Sequence, residues 1–177
     1  VSLLQRFLGI EATPDRRREP GETRSVRRIA AELDRLGPEK SRFLAAFAYV
    51  LARVAQADLE VEAAEVAAME GIVADLGSLQ AAEARLVVEL AREQSGALGA
   101  TENYLVTREF RRHSSREERA QLVECLFAVA AADGGISGKE SDEVLTIAEE
   151  LGFSRPEALG MRSLWREHLE EFRRLRR

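Results

Sequence analysis

Carboxylates recur in this chain at a fixed spacing. Asp58 is followed by Glu62 and Glu65, and Asp133 by Ser137 and Glu140. The two sets stand 75 residues apart (133 − 58 = 75; 140 − 65 = 75). If each Asp closes one helix and the residues after it open the next, their oxygens converge at the elbow. Hard oxygen donors of this kind suit calcium, magnesium or manganese. One Asp–Glu pair falls short of the roughly six to eight oxygens that calcium takes. Tight binding therefore requires both turns to pool ligands, or a partner to supply some. A second role is open to the same residues. Ser137-Gly138-Lys139-Glu140 has the pattern of a capping box, in which Ser and Glu satisfy exposed amides at a helix start. Asp133 can bond turn amides without any ion. The regular D-x-D-x-D-G series of an EF-hand is absent.

Little else in the chain is equipped for chemistry. His113 and His168 are the only histidines; one follows two arginines and the other sits among charges, so both are expected at the surface. There is no H-E-x-x-H, no G-x-S-x-G and no glycine-rich phosphate loop, and the expectation is a protein that is not an enzyme. Cys125 is the single cysteine and falls where the repeat places Val50, which marks it as a small buried hydrophobe rather than a nucleophile. A lone cysteine makes no internal disulfide, in keeping with a reducing compartment.

The elements that must position the carboxylates form a repeat. VAQADLEVEAAEVAAMEGIVADLG over 54–77 aligns without a gap on VAAADGGISGKESDEVLTIAEELG over 129–152. In each copy an apolar helical face leads to the Asp, and a short turn follows with one β-branched residue, Val61 or Ile136. A second helix then opens and closes at Gly77 or Gly152. Helices are expected over 25–36, 40–57, 62–76, 80–95, 103–112, 115–132 and 137–150 from apolar residues at helical spacing. The segment 40–57 is apolar on most sides and belongs in the core. A last helix is expected from the Ser154 cap, with Pro156 in its first turn and Leu159, Leu164, Trp165, Leu169 and Phe172 along it. The fold class is all-α: a compact single-domain bundle with an internal pseudo-two-fold helix-turn-helix repeat.

Composition agrees. Ala, Leu, Glu and Arg are strong helix formers, and no stretch alternates as a strand does. Residues 1–24 read as a short amphipathic segment, with Leu3, Leu4, Phe7 and Leu8, followed by an Arg- and Pro-rich linker. The helical domain is expected over 25–177. The net charge of −5 argues against nucleic acid as a partner. From Asp58 to Glu93 there are nine acidic residues against two arginines, which reads either as a set of solvated helix faces or as a region that favours cations. No apolar run is long enough to span a membrane and no signal peptide is visible, so the cytoplasm is the expected location.

The second-copy motif A-D-G-G-I-S-G-K-E, with A-D-L-E-V-E-A-A-E in the first copy, resembles the tellurite-resistance TerB family. The resemblance covers about residues 25–160. It implies an all-helical domain built on such an Asp-turn-Glu repeat, with an acidic metal-binding surface. By that pattern Asp58, Glu62, Glu65, Asp133, Ser137 and Glu140 are the metal candidates; Leu59 departs from the glycine usual after the Asp. The family also implies stress-response complexes, often membrane-associated, with a protein as the partner. The alternative is an interaction domain of a chaperone- or membrane-associated complex, in which the acidic turns serve only as helix caps.

Overall fold

The computed structural model describes residues 24–54, 63–93, 100–132 and 134–171. The N-terminal stripe, the linker over 13–23, Asp58, Glu62, Asp133 and Phe172 lie outside the described residues. Among the described residues the chain is all-helical, with eight α-helices and no strand.

α1 (Arg24–Arg35) buries Ile29 and Leu33, one turn apart on the same face. It stops at Gly37, whose φ of +82° suits a residue without a Cβ. Pro38 then opens the next helix, where its missing N–H is no loss. The buried hydroxyl of Ser41 lies between the carbonyls of Leu33 and Gly37, 2.7 Å from the latter, and so joins the end of α1 to the start of the next helix.

α2 (Pro38–Val54) is the central helix. Leu44, Phe47, Val50, Leu51 and Val54 are buried along it, with alanines between them. It is surrounded by α1, α4 (Ala81–Glu93), α5 (Ala100–Arg112), α6 (Arg116–Ala131) and α7 (Gly138–Glu150). α3 (Ala63–Leu76) lies against α4 and α6, while α8 (Arg155–Ser163) lies against α6 and α7. Phe110 of α5 joins Phe43 and Phe47 of α2, with ring centroids 5.0 and 6.2 Å away. α6 buries Leu122, Leu126, Phe127 and Cys125, and burial pushes the Cys125 thiol up to about 12.

The repeated stretches occupy α2–α3 and α6–α7. α3 and α7 begin 75 residues apart (138 − 63 = 75). α3 packs on α6 and α7 packs on α2. The closing glycines serve different needs. Gly152 takes φ +94°, whereas in the first copy the left-handed residue is Ser78, one position after Gly77. Gly77 is required for space, because a Cβ there would meet the Phe47 ring at 3.1 Å and the Val73 carbonyl.

The chain departs from expectation after α8. In place of one helix running from Ser154 past Leu169, α8 ends at Ser163 and tight turns follow. Leu164 N–H donates to Met161 O at 3.2 Å, Trp165 to Arg162 at 3.0 Å and His168 to Trp165 at 2.9 Å. These turns bring Leu169 beside Ile136, where both side chains are buried. The Ile136 N–H donates to His168 O at 2.8 Å, and the Glu170 N–H donates to Ile136 O at 3.0 Å. Burial of Leu169 and two main-chain hydrogen bonds to a distant turn thus compete with continuation of the helix. Trp165 stacks on Phe127 at 6.4 Å on the way.

Candidate functional site

The second acidic turn is held from three directions. Gly134 takes φ +115°, a conformation that favours glycine, and its N–H donates to Ala131 O at 3.2 Å. Ile136 is fixed by its main-chain pair with 168–170. Ser137 is the N-cap of α7 with extended backbone, and its Oγ accepts the Glu140 N–H at 3.2 Å. Glu140 Oε2 in return accepts the Ser137 N–H at 2.8 Å, which completes the capping box.

The six candidate residues therefore have unequal standing. Ser137 and Glu140 come together, each side chain accepting the main-chain N–H of the other. Glu65 lies in the first turn of α3, at the position that Glu140 holds in α7. Asp58, Glu62 and Asp133 lie outside the described residues. Among the described residues no group of three or more His, Cys, Asp and Glu is placed to hold a metal ion. The chemistry of the donors fits a hard cation, because a carboxylate oxygen that accepts one N–H keeps further lone pairs. Their number does not: Ser137 and Glu140 alone fall short of a coordination shell.

A second polar cluster lies between the copies. Arg53, in the last turn of α2, has a side chain only 6% exposed. Its Nε and NH2 donate to Glu143 Oε1 at 2.8 and 2.7 Å, and its NH1 to Glu150 Oε2 at 2.8 Å. Thr107 of α5 donates its hydroxyl to the same Glu150 oxygen at 2.6 Å. Burial opposes the charge of Arg53, but the hydrogen bonds and charges of Glu150 and Glu143 outweigh it and raise the guanidinium pKa above its ordinary value. Glu143 and Glu150 are seven residues apart, two turns of α7, and so lie on one face. The cluster ties the residue just before the first acidic segment to the helix that follows the second acidic turn.

This cluster is not repeated. At the offset of 75, Arg53 answers to Ala128, Glu143 to Ala68 and Glu150 to Asp75. Sequence reasoning passed over it. The available signal was an arginine inside the otherwise apolar run from Phe47 to Val54, since a buried charge requires a partner.

The histidines lie at the surface as expected. His113 Nε2 sits 2.9 Å from Glu109 Oε1 beside α5, and His168 is exposed. No helix among the described residues is long and apolar enough to cross a membrane.

A family model described as tellurite resistance protein TerB matches residues 43–162, from within α2 to within α8. No curated protein and no solved structure matches the chain.

Proposed function

The chain belongs to the tellurite-resistance TerB family, and on that premise we propose that it is a non-catalytic helical module of a cytoplasmic stress response. In this reading it binds a divalent cation (calcium, magnesium or manganese) at its acidic turns and presents the ordered acidic face to a partner protein. The observation that carries it is the clamped second turn. Its backbone is fixed by Gly134, by the Ile136 pair with 168–170 and by the capping box. A turn held this way needs little reordering to receive an ion, which lowers the cost of binding. Glu140 is anchored through one oxygen and directed by it. Asp133 and the first-copy carboxylates Asp58, Glu62 and Glu65 would supply the remaining donors.

The capping box also favours a second reading. Ser137 and Glu140 have a complete structural role as a cap, which supports an interaction domain of a chaperone- or membrane-associated complex that needs no ion.

Calorimetric titration of chelator-treated protein with calcium, magnesium and manganese separates the two. Saturable binding that weakens in Asp58→Ala and in Asp133→Ala supports a shared cation site. Absence of binding up to millimolar ion removes the cation reading and leaves the interaction domain.

A further inference from the structure

Three arginines converge on the three residues that follow α7. Arg111, the penultimate residue of α5, lays its guanidinium on Gly152: a Cβ there would stand 2.7 Å from Arg111 Cζ and 2.9 Å from its Nε. Arg119 of α6 donates from NH1 to Leu151 O at 2.7 Å and from Nε to Ser115 O at 3.2 Å. Arg116, the first residue of α6, sits over the Phe153 ring at 4.9 Å and pairs with Glu157 of α8. Gly152 is thus constrained twice, by its φ of +94° and by the guanidinium against it.

Helix capping explains part of this cluster. Arg119 serves the C-terminal carbonyl of α7, where a cation is favoured by the helix dipole. It does not explain Arg111, which has no hydrogen-bond acceptor and no carboxylate partner among the described residues although a guanidinium carries five N–H groups. Nor does any carboxylate among the described residues pair with Arg119. The charges that act on Arg119 are Arg111 and Arg116; after burial, their repulsion lowers its pKa. The nearby carboxylates are already engaged. Glu157 Oε2 accepts both the N–H and the hydroxyl of Ser154 at 2.8 Å, and Glu118 Oε2 accepts the Ser115 N–H at 2.7 Å.

We propose that Arg111, Arg116 and Arg119 form a binding site for a phosphate monoester group where α5, α6 and the end of α7 meet. A monoester dianion matches this arrangement better than a single carboxylate does. It offers three oxygens to guanidinium forks approaching from different helices, and enough charge to offset the mutual repulsion of the arginines. Arg111 and Arg116 are exposed, so the group can reach the site from solvent. The site is independent of the acidic turns, and it stands or falls apart from the cation reading.

The full chain is titrated with phenyl phosphate, followed by amide NMR shifts, and separately mixed with phosphatidylcholine vesicles containing phosphatidic acid. Vesicles with phosphatidylglycerol, a diester, at a content that matches the surface charge control for charge alone. Arg111→Gln removes a guanidinium that makes no internal bond, and Arg112→Gln is the neighbouring control. Saturable phenyl phosphate binding that shifts Gly152 and Arg119 and weakens at least about tenfold in Arg111→Gln alone supports the site with a soluble ligand. Binding confined to phosphatidic acid vesicles, with the same dependence on Arg111, supports it with a lipid headgroup. Binding to neither, equal binding to phosphatidylglycerol, or equal loss in Arg112→Gln overturns it. Should Arg111→Gln lose its helical signal, the shift pattern of the wild type decides instead: shifts at Gly152 and Arg119 support the site, and shifts spread evenly over surface arginines overturn it.

Discussion

Arg53 of α2 and Glu150 of α7 face each other at 2.8 Å, 97 residues apart in sequence. The arginine lies in the last turn of the central helix and the glutamate ends α7, so one ion pair fixes the end of α2 to the end of α7. Because the arginine is almost fully buried and Glu143 is about a third exposed, the pair is neither a surface bridge nor a sealed one. Removal of the arginine leaves Glu143 and Glu150 without their cation. Arg53→Met is expected to destabilise the fold by roughly 2–4 kcal/mol, toward the lower end because water reaches Glu143. Adding Glu150→Gln to that variant should restore part of the loss. Urea unfolding of the two single variants and the double variant measures the coupling, and simple additivity would show that Arg53 acts through packing alone.

Ser137→Ala tests what the capping box contributes. Loss of the cap should reduce stability by about 1 kcal/mol in the presence of chelator. If the turn also holds a cation, the gap between wild type and variant widens when the ion is added, because the bound ion stabilises the wild type by mass action. Thermal melts with and without millimolar calcium report both quantities.

Acid should loosen the start of α8. The Ser154 main-chain N–H, then its hydroxyl and Arg116, hold the Glu157 carboxyl below the usual carboxylate range. A group whose pKa is depressed on folding contributes stability above its unfolded value, about 4.3 for Glu, and loses it as the pH falls through the lower folded value. Melting temperatures of wild type and Glu157→Gln should therefore differ at neutral pH and converge once the pH falls below the depressed folded value. A difference that persists in acid would assign the effect to the amide itself.

Two glycines should respond to alanine with opposite signs. Gly71 lies within α3 with nothing near its missing side chain, so Gly71→Ala should stabilise by about 0.5–1 kcal/mol. Gly77→Ala places a methyl group against the buried Phe47 ring and the Val73 carbonyl, neither of which is the loose end of a chain. It should destabilise by roughly 1–3 kcal/mol, as overpacking does. Denaturant midpoints at equal slope distinguish the two.

The helices were legible because their signals are local. Apolar residues at helical spacing marked α2, and Gly37 with Pro38 marked the stop before it. Ser115 with Glu118 and Ser137 with Glu140 form the capping boxes of α6 and α7, and the second of these was read from the sequence. The path after Ser163 was not legible. Leu164, Trp165 and Leu169 are compatible with a helical stripe, yet Leu164 is 79% exposed while Leu169 is buried. What separates them is a main-chain pair with Ile136, and no local pattern encodes a partner at that distance. The Arg53 cluster was missed for the same reason, since its carboxylates are supplied 90 and 97 residues later. Of the candidate site, the turn and its cap could be read from spacing. The crowding of Arg111 on Gly152 could not, because α5 is brought there by packing.

The pairing of Ile136 with residues 168–170 also bears on the order in which this chain becomes complete during synthesis. The turn at 134–137 leaves the ribosome before the strand-like segment that fastens it, and the two are 33 residues apart (169 − 136 = 33). α6 and α7 can pair as soon as both exist, but the turn between them stays loosely anchored until the chain has passed Glu170. A nonsense mutation or proteolytic cut after Ser163 would leave the sequences of α1 to α8 whole and still register at the acidic turn.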